Sequence, residues 1–136
     1  MSVKAFGSPT YGLTKRIDGT SFDEALARTK AALSDNGFGV LTEIDMQKTL
    51  DAKLGVAWPR YQILGACNPH LAHQALQGDP AIGLLLPCNV VVAQDGDGVT
   101  ISAIDPAAMF SAVDNPEVQP IAAAVKEKLI AVLAAL

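Results

Sequence analysis

Residues 88–104 read CNVVVAQDGDGVTISAI. Two runs rich in β-branched residues flank Asp95-Gly96-Asp97-Gly98, and Asp and Gly are the residues that close a tight antiparallel turn. The stretch therefore predicts a β-hairpin, and with it a sheet built from antiparallel connections rather than parallel crossovers. Pro87 belongs just before the first strand or at its edge, because it has no N–H to give to a ladder. Asp105-Pro106 stops the second strand.

Upstream, RYQILGA (60–66) reads as a further strand. Asn68-Pro69 then opens a helix, with Asn as N-cap and Pro in the first turn, where its missing N–H costs nothing. Leu71, Ala72, Ala75 and Leu76 are expected to face inward, with Gly78 at the exit. FGVLTEI (38–44) predicts a strand with Phe38, Val40 and Ile44 on one face by period-two alternation. Asp45 caps a short helix carrying Met46, Leu50 and Leu54, closed by Gly55. Near the N-terminus, YGLTKRI (11–17) reads as a strand of imperfect alternation. Ser21-x-x-Glu24 matches a capping box before the stripe Phe22, Ala25, Leu26, Thr29 and Leu33, and Gly37 ends that helix.

Downstream, Asn115-Pro116 predicts the start of a last helix, irregular until Pro120. Its main stripe is Ile121, Val125, Leu129, Val132 and Leu136. A second apolar set, Ala123, Ile130, Leu133 and Ala134, gives that helix two apolar neighbours, and a twofold partner subunit is one candidate for the second. No repeat or linker interrupts the chain, so residues 1–136 are read as a single α+β domain. Helices are expected on one face of an antiparallel sheet.

Composition narrows the function classes. Only 18% of the 136 residues are charged and half are apolar, as in a chain that folds around a core. A net charge of -4 opposes binding to nucleic acid. No stretch reaches the roughly 18 apolar residues of a membrane span, and the N-terminus lacks a signal-peptide core. A cytoplasmic, reducing location is the expectation, with both cysteines as free thiols.

Four segments, TEIDMQKTLDAKLG (42–55), YQILGACNP (61–69), IGLLLPCNVVV (82–92) and AIDP (103–106), resemble the uncharacterised domain-of-unknown-function family 302. The resemblance implies a TATA-box-binding-protein-like fold with an extra N-terminal strand and a homodimer. It implies no DNA binding, and it brings no established activity, substrate or cofactor.

Candidate sites gather around the same segments. Cys67 precedes the N-cap Asn68, where a helix dipole stabilises a thiolate, although it equally reads as a buried strand residue beside Tyr61, Ile63 and Gly65. Cys88 shares a strand face with Val90 and Val92. If the two thiols meet, a redox sensor or thiol enzyme follows. A weaker alternative is a metal held by Cys67, His70, His73 and Cys88, without the usual C-x₂-C spacing. Glu43 with Asp45 reads as solvated or capping charge more simply than as an acid–base pair. Arg60, Tyr61 and Lys53 form no phosphate loop. The primary expectation is an apolar cleft for a small apolar or mixed ligand, walled by GLLLP (83–87), with Asn68, Asn89, Tyr61 and Asp105 as its candidate polar contacts.

Overall fold

The computed structural model describes residues 3–136. Its five strands are β1 (Gly12–Ile17), β2 (Gly39–Asp45), β3 (Tyr61–Cys67), β4 (Cys88–Asp95) and β5 (Gly98–Ile104). They form one sheet in the order β1-β5-β4-β3-β2, with every pairing antiparallel. The hairpin forms as its sequence requires. Asp95 pairs with Gly98, and Gly96 takes φ 62° at the first loop position, which a residue with a Cβ adopts only at a cost.

Five α-helices accompany the sheet: α1 (Phe22–Asp35), α2 (Met46–Leu54), α3 (Pro69–Gly78), α4 (Pro106–Met109) and α5 (Gln119–Ala134). A 3-10 helix, Pro80–Leu85, follows α3. Because β1 and β2 lie at opposite edges, α1 carries the chain across the whole inner face between them. The Ser21 hydroxyl starts α1 by accepting the Glu24 N–H. Phe22, Ala25, Thr29 and Leu33 are buried along its inward stripe, where the Thr29 hydroxyl donates to the Ala25 carbonyl.

The main core lies between the sheet and helices α1 and α5. Leu64, Val90, Val92, Val99 and Ile101 project inward from β3, β4 and β5. Val125, Leu129 and Val132 of α5 meet them, as the main stripe predicts. A second, smaller cluster of Ala75, Ile82, Phe110, Val118 and Ala122 locks α3, the 3-10 helix and the start of α5 together. The chain is thus α+β, with helices packed against one five-stranded antiparallel sheet.

Several local expectations are corrected. Ile44 does not share a face with Phe38 and Val40, because the register shifts between Val40 and Thr42 and leaves Leu41 as an extra residue. Such a bulge reverses the alternation beyond it. Ile44 therefore pairs with Ile63 on the opposite face and is 45% exposed. Helix α2 buries no residue fully, and Leu54 at its end is 70% exposed. Leu76 is exposed, since Ala75 takes the inward position on α3.

The last helix begins at Gln119 rather than at Asn115. The Asn115 side chain is used in a turn, accepting the Glu117 N–H and donating to the Gly78 carbonyl. Asp105-Pro106 ends β5 and also opens α4, with the Asp105 carboxylate accepting the Ala107 N–H. Of the second apolar set on α5, Leu133 joins the core while Ile130 stays exposed.

Candidate functional site

Alternation along the strands sends Tyr61, Ile63 and Gly65 of β3, Asn89, Val91 and Ala93 of β4, and Thr100 and Ser102 of β5 to the outer face. No helix is needed to bury part of this face. The segment before β1 crosses it, held where the Phe6 N–H donates to Asp95 Oδ1 at 3.3 Å and the Asp105 N–H donates to the Tyr11 carbonyl at 2.8 Å. Asp95 anchors the same corner by accepting the Thr100 hydroxyl at 2.8 Å and pairing with Arg16 at 3.1 Å.

Between this segment and the sheet lies a cavity of about 300 Å³. Phe6, Pro9 and Tyr11 form one wall and Tyr61 another, with Asn89 and Val91 in the floor. Ser102 also borders it, its hydroxyl already bonded to Thr14 at 2.8 Å. Among the described residues no charged side chain lines the cavity. Burial, and then the nearby Tyr11, push the Tyr61 phenol above its ordinary pKa, so it remains a neutral hydrogen-bond donor. Apolar walls with a few convergent polar groups are the usual make-up of a small-molecule pocket.

Asn89 borders a second basin, of about 290 Å³, whose walls are Leu84, Leu85, Leu86 and Pro87. Leu84 to Pro87 of the GLLLP segment thus lie beside Asn89. Of the four candidate polar contacts, Tyr61 and Asn89 come together. Asn68 and Asp105 serve the chain instead. The Asn68 side chain caps α3 by accepting the Leu71 N–H at 3.1 Å. Asp105 caps α4 and pairs with Lys126 at 3.1 Å.

The two thiols occupy a different place. Cys88 stands opposite Ala66, and Cys67 is the next residue along β3. Both are free, and both border a narrow apolar crevice of about 20 Å³ beside Phe38, Leu71 and Phe110. That is room for about one water molecule. Burial pushes the Cys67 thiol up, and burial with the neighbouring Cys67 pushes Cys88 up to about 11. Neither sulfur is therefore poised as a thiolate at neutral pH. His70 and His73 are exposed on α3. With Cys67 and Cys88 they do not assemble as four metal ligands. Among the described residues no group of three or more His, Cys, Asp or Glu gathers to hold a metal ion.

Of the lining residues the sequence singles out only Tyr61 and Asn89 as contacts, and misses Phe6, Pro9, Tyr11 and Ser102 among others. Their position depends on the N-terminal segment crossing the sheet, for which the only local hint is an aromatic and proline-bearing stretch, AFGSPTY (5–11).

A family model described as domain of unknown function DUF302 matches residues 13–136. The chain belongs to the DUF302 family. A crystal structure of an uncharacterized conserved DUF302 protein from Bacillus stearothermophilus is similar to it, with 28% identity and a TM-score of 0.86. That match covers 93% of this chain and 98% of the other. No match exists among curated proteins. The family match begins at residue 13, so Phe6, Pro9 and Tyr11 of this DUF302 protein lie ahead of the matched region. No helix among the described residues is long and apolar enough to cross a membrane.

Proposed function

We propose that this DUF302 protein is a non-catalytic binding module for a small, uncharged, largely apolar molecule held on the outer face of its sheet. The observation that carries the reading is the cavity of about 300 Å³ between Tyr61 and the segment bearing Phe6, lined by no charged side chain among the described residues. Desolvating an ionised ligand there would go uncompensated, whereas a neutral one gains from apolar burial and from the Tyr61 and Asn89 hydrogen-bonding groups. The two thiols favour the thiol-dependent alternative less, since both are shifted away from the reactive thiolate.

Titration with N-phenyl-1-naphthylamine, a neutral dye that fluoresces when desolvated, tests the reading. Saturable enhancement is expected with the native chain and loss of it with Val91→Lys, which sets a charge in the cavity floor. Equal enhancement by both proteins would overturn it.

A twofold dimer belongs to the same reading. The exposed Ile130 on α5, and Leu41 with Ile44 on edge strand β2, are apolar surfaces that a second copy would cover. Light scattering that returns the monomer mass of 14.1 kDa across micromolar concentrations would rule the dimer out.

A further inference from the structure

We propose that the outer-face cavity is one half of a longer trough, and that Asn89 at its waist selects an elongated uncharged ligand with an amide-like group between two apolar arms. This inference rests on the ligand-binding reading above and deepens it.

Asn89 and Ile104 each border both basins, so the two meet at a saddle formed by these side chains. The second basin is nearly as large as the first, about 290 against 300 Å³. Beyond the saddle its walls are aliphatic, or the thioether of Met109. Among the described residues Asn89 is the only side chain in that basin that forms hydrogen bonds strongly, and it borders both basins.

Its chemistry sets the ligand class. A carboxamide offers both a donor and an acceptor, and is matched by a group that offers the same pair in reverse, as an amide does. Asn89 is exposed on the sheet, unlike Ser102, whose hydroxyl is taken by Thr14, or Asn68, whose oxygen is taken by α3. Its cross-strand neighbour Gly65 has no side chain to lie over it. An arm in each basin then places the ligand's middle against Asn89. A ligand lacking the amide N–H would cover the Asn89 oxygen without satisfying it, a loss of about tenfold in affinity.

The probes are N-benzylbenzamide, with two arms and a central amide; N-methylbenzamide, with one arm; and benzyl benzoate, with two arms but no N–H. Calorimetric titration is expected to show N-benzylbenzamide binding about tenfold more tightly than either of the others. Asn89→Leu should abolish the amide-over-ester preference. Leu84→Glu, at a site 89% exposed and therefore safe for folding, should weaken N-benzylbenzamide while sparing N-phenyl-1-naphthylamine.

An unchanged amide-to-ester ratio in Asn89→Leu, or one-armed and two-armed amides that bind equally, would overturn the inference. If N-phenyl-1-naphthylamine still bound, the ligand-binding reading would survive that result. If no probe bound, both would fall.

Discussion

The ammonium of Lys15, on edge strand β1, donates to the Leu133 carbonyl oxygen of α5 at 3.1 Å. It donates to the Leu136 carbonyl as well. The Leu133 carbonyl, in the last turn of α5, also accepts the Leu136 N–H at 3.2 Å, and the lysine adds a charge-assisted bond at the negative end of the helix dipole. The contact joins positions 118 residues apart in sequence.

Replacing Lys15 with Met keeps much of the aliphatic stem and removes the charge. Unfolding in urea should show a loss of about 1–2 kcal/mol, the worth of a charge-assisted hydrogen bond at a helix terminus. Lys15→Arg should recover most of it. A Met variant as stable as the native chain would mean that water serves those carbonyls equally well.

Leu129 is fully buried where α5 meets the sheet. Leu129→Ala is expected to cost about 3 kcal/mol, combining lost transfer energy with the cavity left behind. Ile130→Ala, one residue on and half exposed, should cost well under 1 kcal/mol in the monomer. Thermal or chemical denaturation of the pair reads the difference. Equal losses would place the helix in a different rotation.

Gly65 has room for no side chain. A Cβ there would strike the Thr42 hydroxyl and come within 2.9 Å of Pro87 Cγ. Gly65→Ala should destabilise by about 1–3 kcal/mol, the usual range for overpacking. Adding Thr42→Ala should return part of that loss, since the Pro87 contact remains. Simple additivity of the two substitutions would contradict the shared clash.

Cys88 contributes to the loss of stability in alkali. Its thiol is held up to about 11, against an ordinary value of 9.0. A raised pKa means that between these values the unfolded chain has lost a proton which the folded chain keeps. Stability from this group is complete below pH 9 and falls as pH rises toward 11, with a slope of at most about 1.4 kcal/mol per pH unit. Cys88→Ala should flatten that part of the stability–pH curve. A curve of unchanged slope would show that the thiol does not titrate with unfolding.

Asp105 has two duties that substitution can separate. Asp105→Asn keeps an oxygen for the Ala107 N–H but loses the pairing with Lys126, while Asp105→Ala loses both. The Ala variant should be about 1 kcal/mol less stable than the Asn variant, the worth of an N-cap. Matching denaturation midpoints would assign the whole effect to Lys126.

Much of the fold is legible in local chemistry. Ser21, Asp45, Asn68 and Asp105 each precede a helix and each accepts a backbone N–H there. The hairpin from Cys88 to Ile104 is declared by its own Gly96 turn. The extra residue at Leu41 is not legible, because a bulge is a property of two paired strands and neither announces it. Ile44 changes faces for that reason. The site is legible in part: Tyr61 and Asn89 attract notice beside GLLLP, whereas Phe6 and Tyr11 do not.

The sequence by itself determined an α+β chain, the antiparallel hairpin, the capped helix starts and the apolar stripe of α5, because each depends on residues a few positions apart. Tertiary structure alone decided that residues 5–11 would roof the outer sheet face. It also decided that Asn89 would border two basins and that both cysteines would border one narrow crevice. Those outcomes depend on strand order and register, which are fixed by contacts between segments far apart in the chain and leave no mark on either segment read alone.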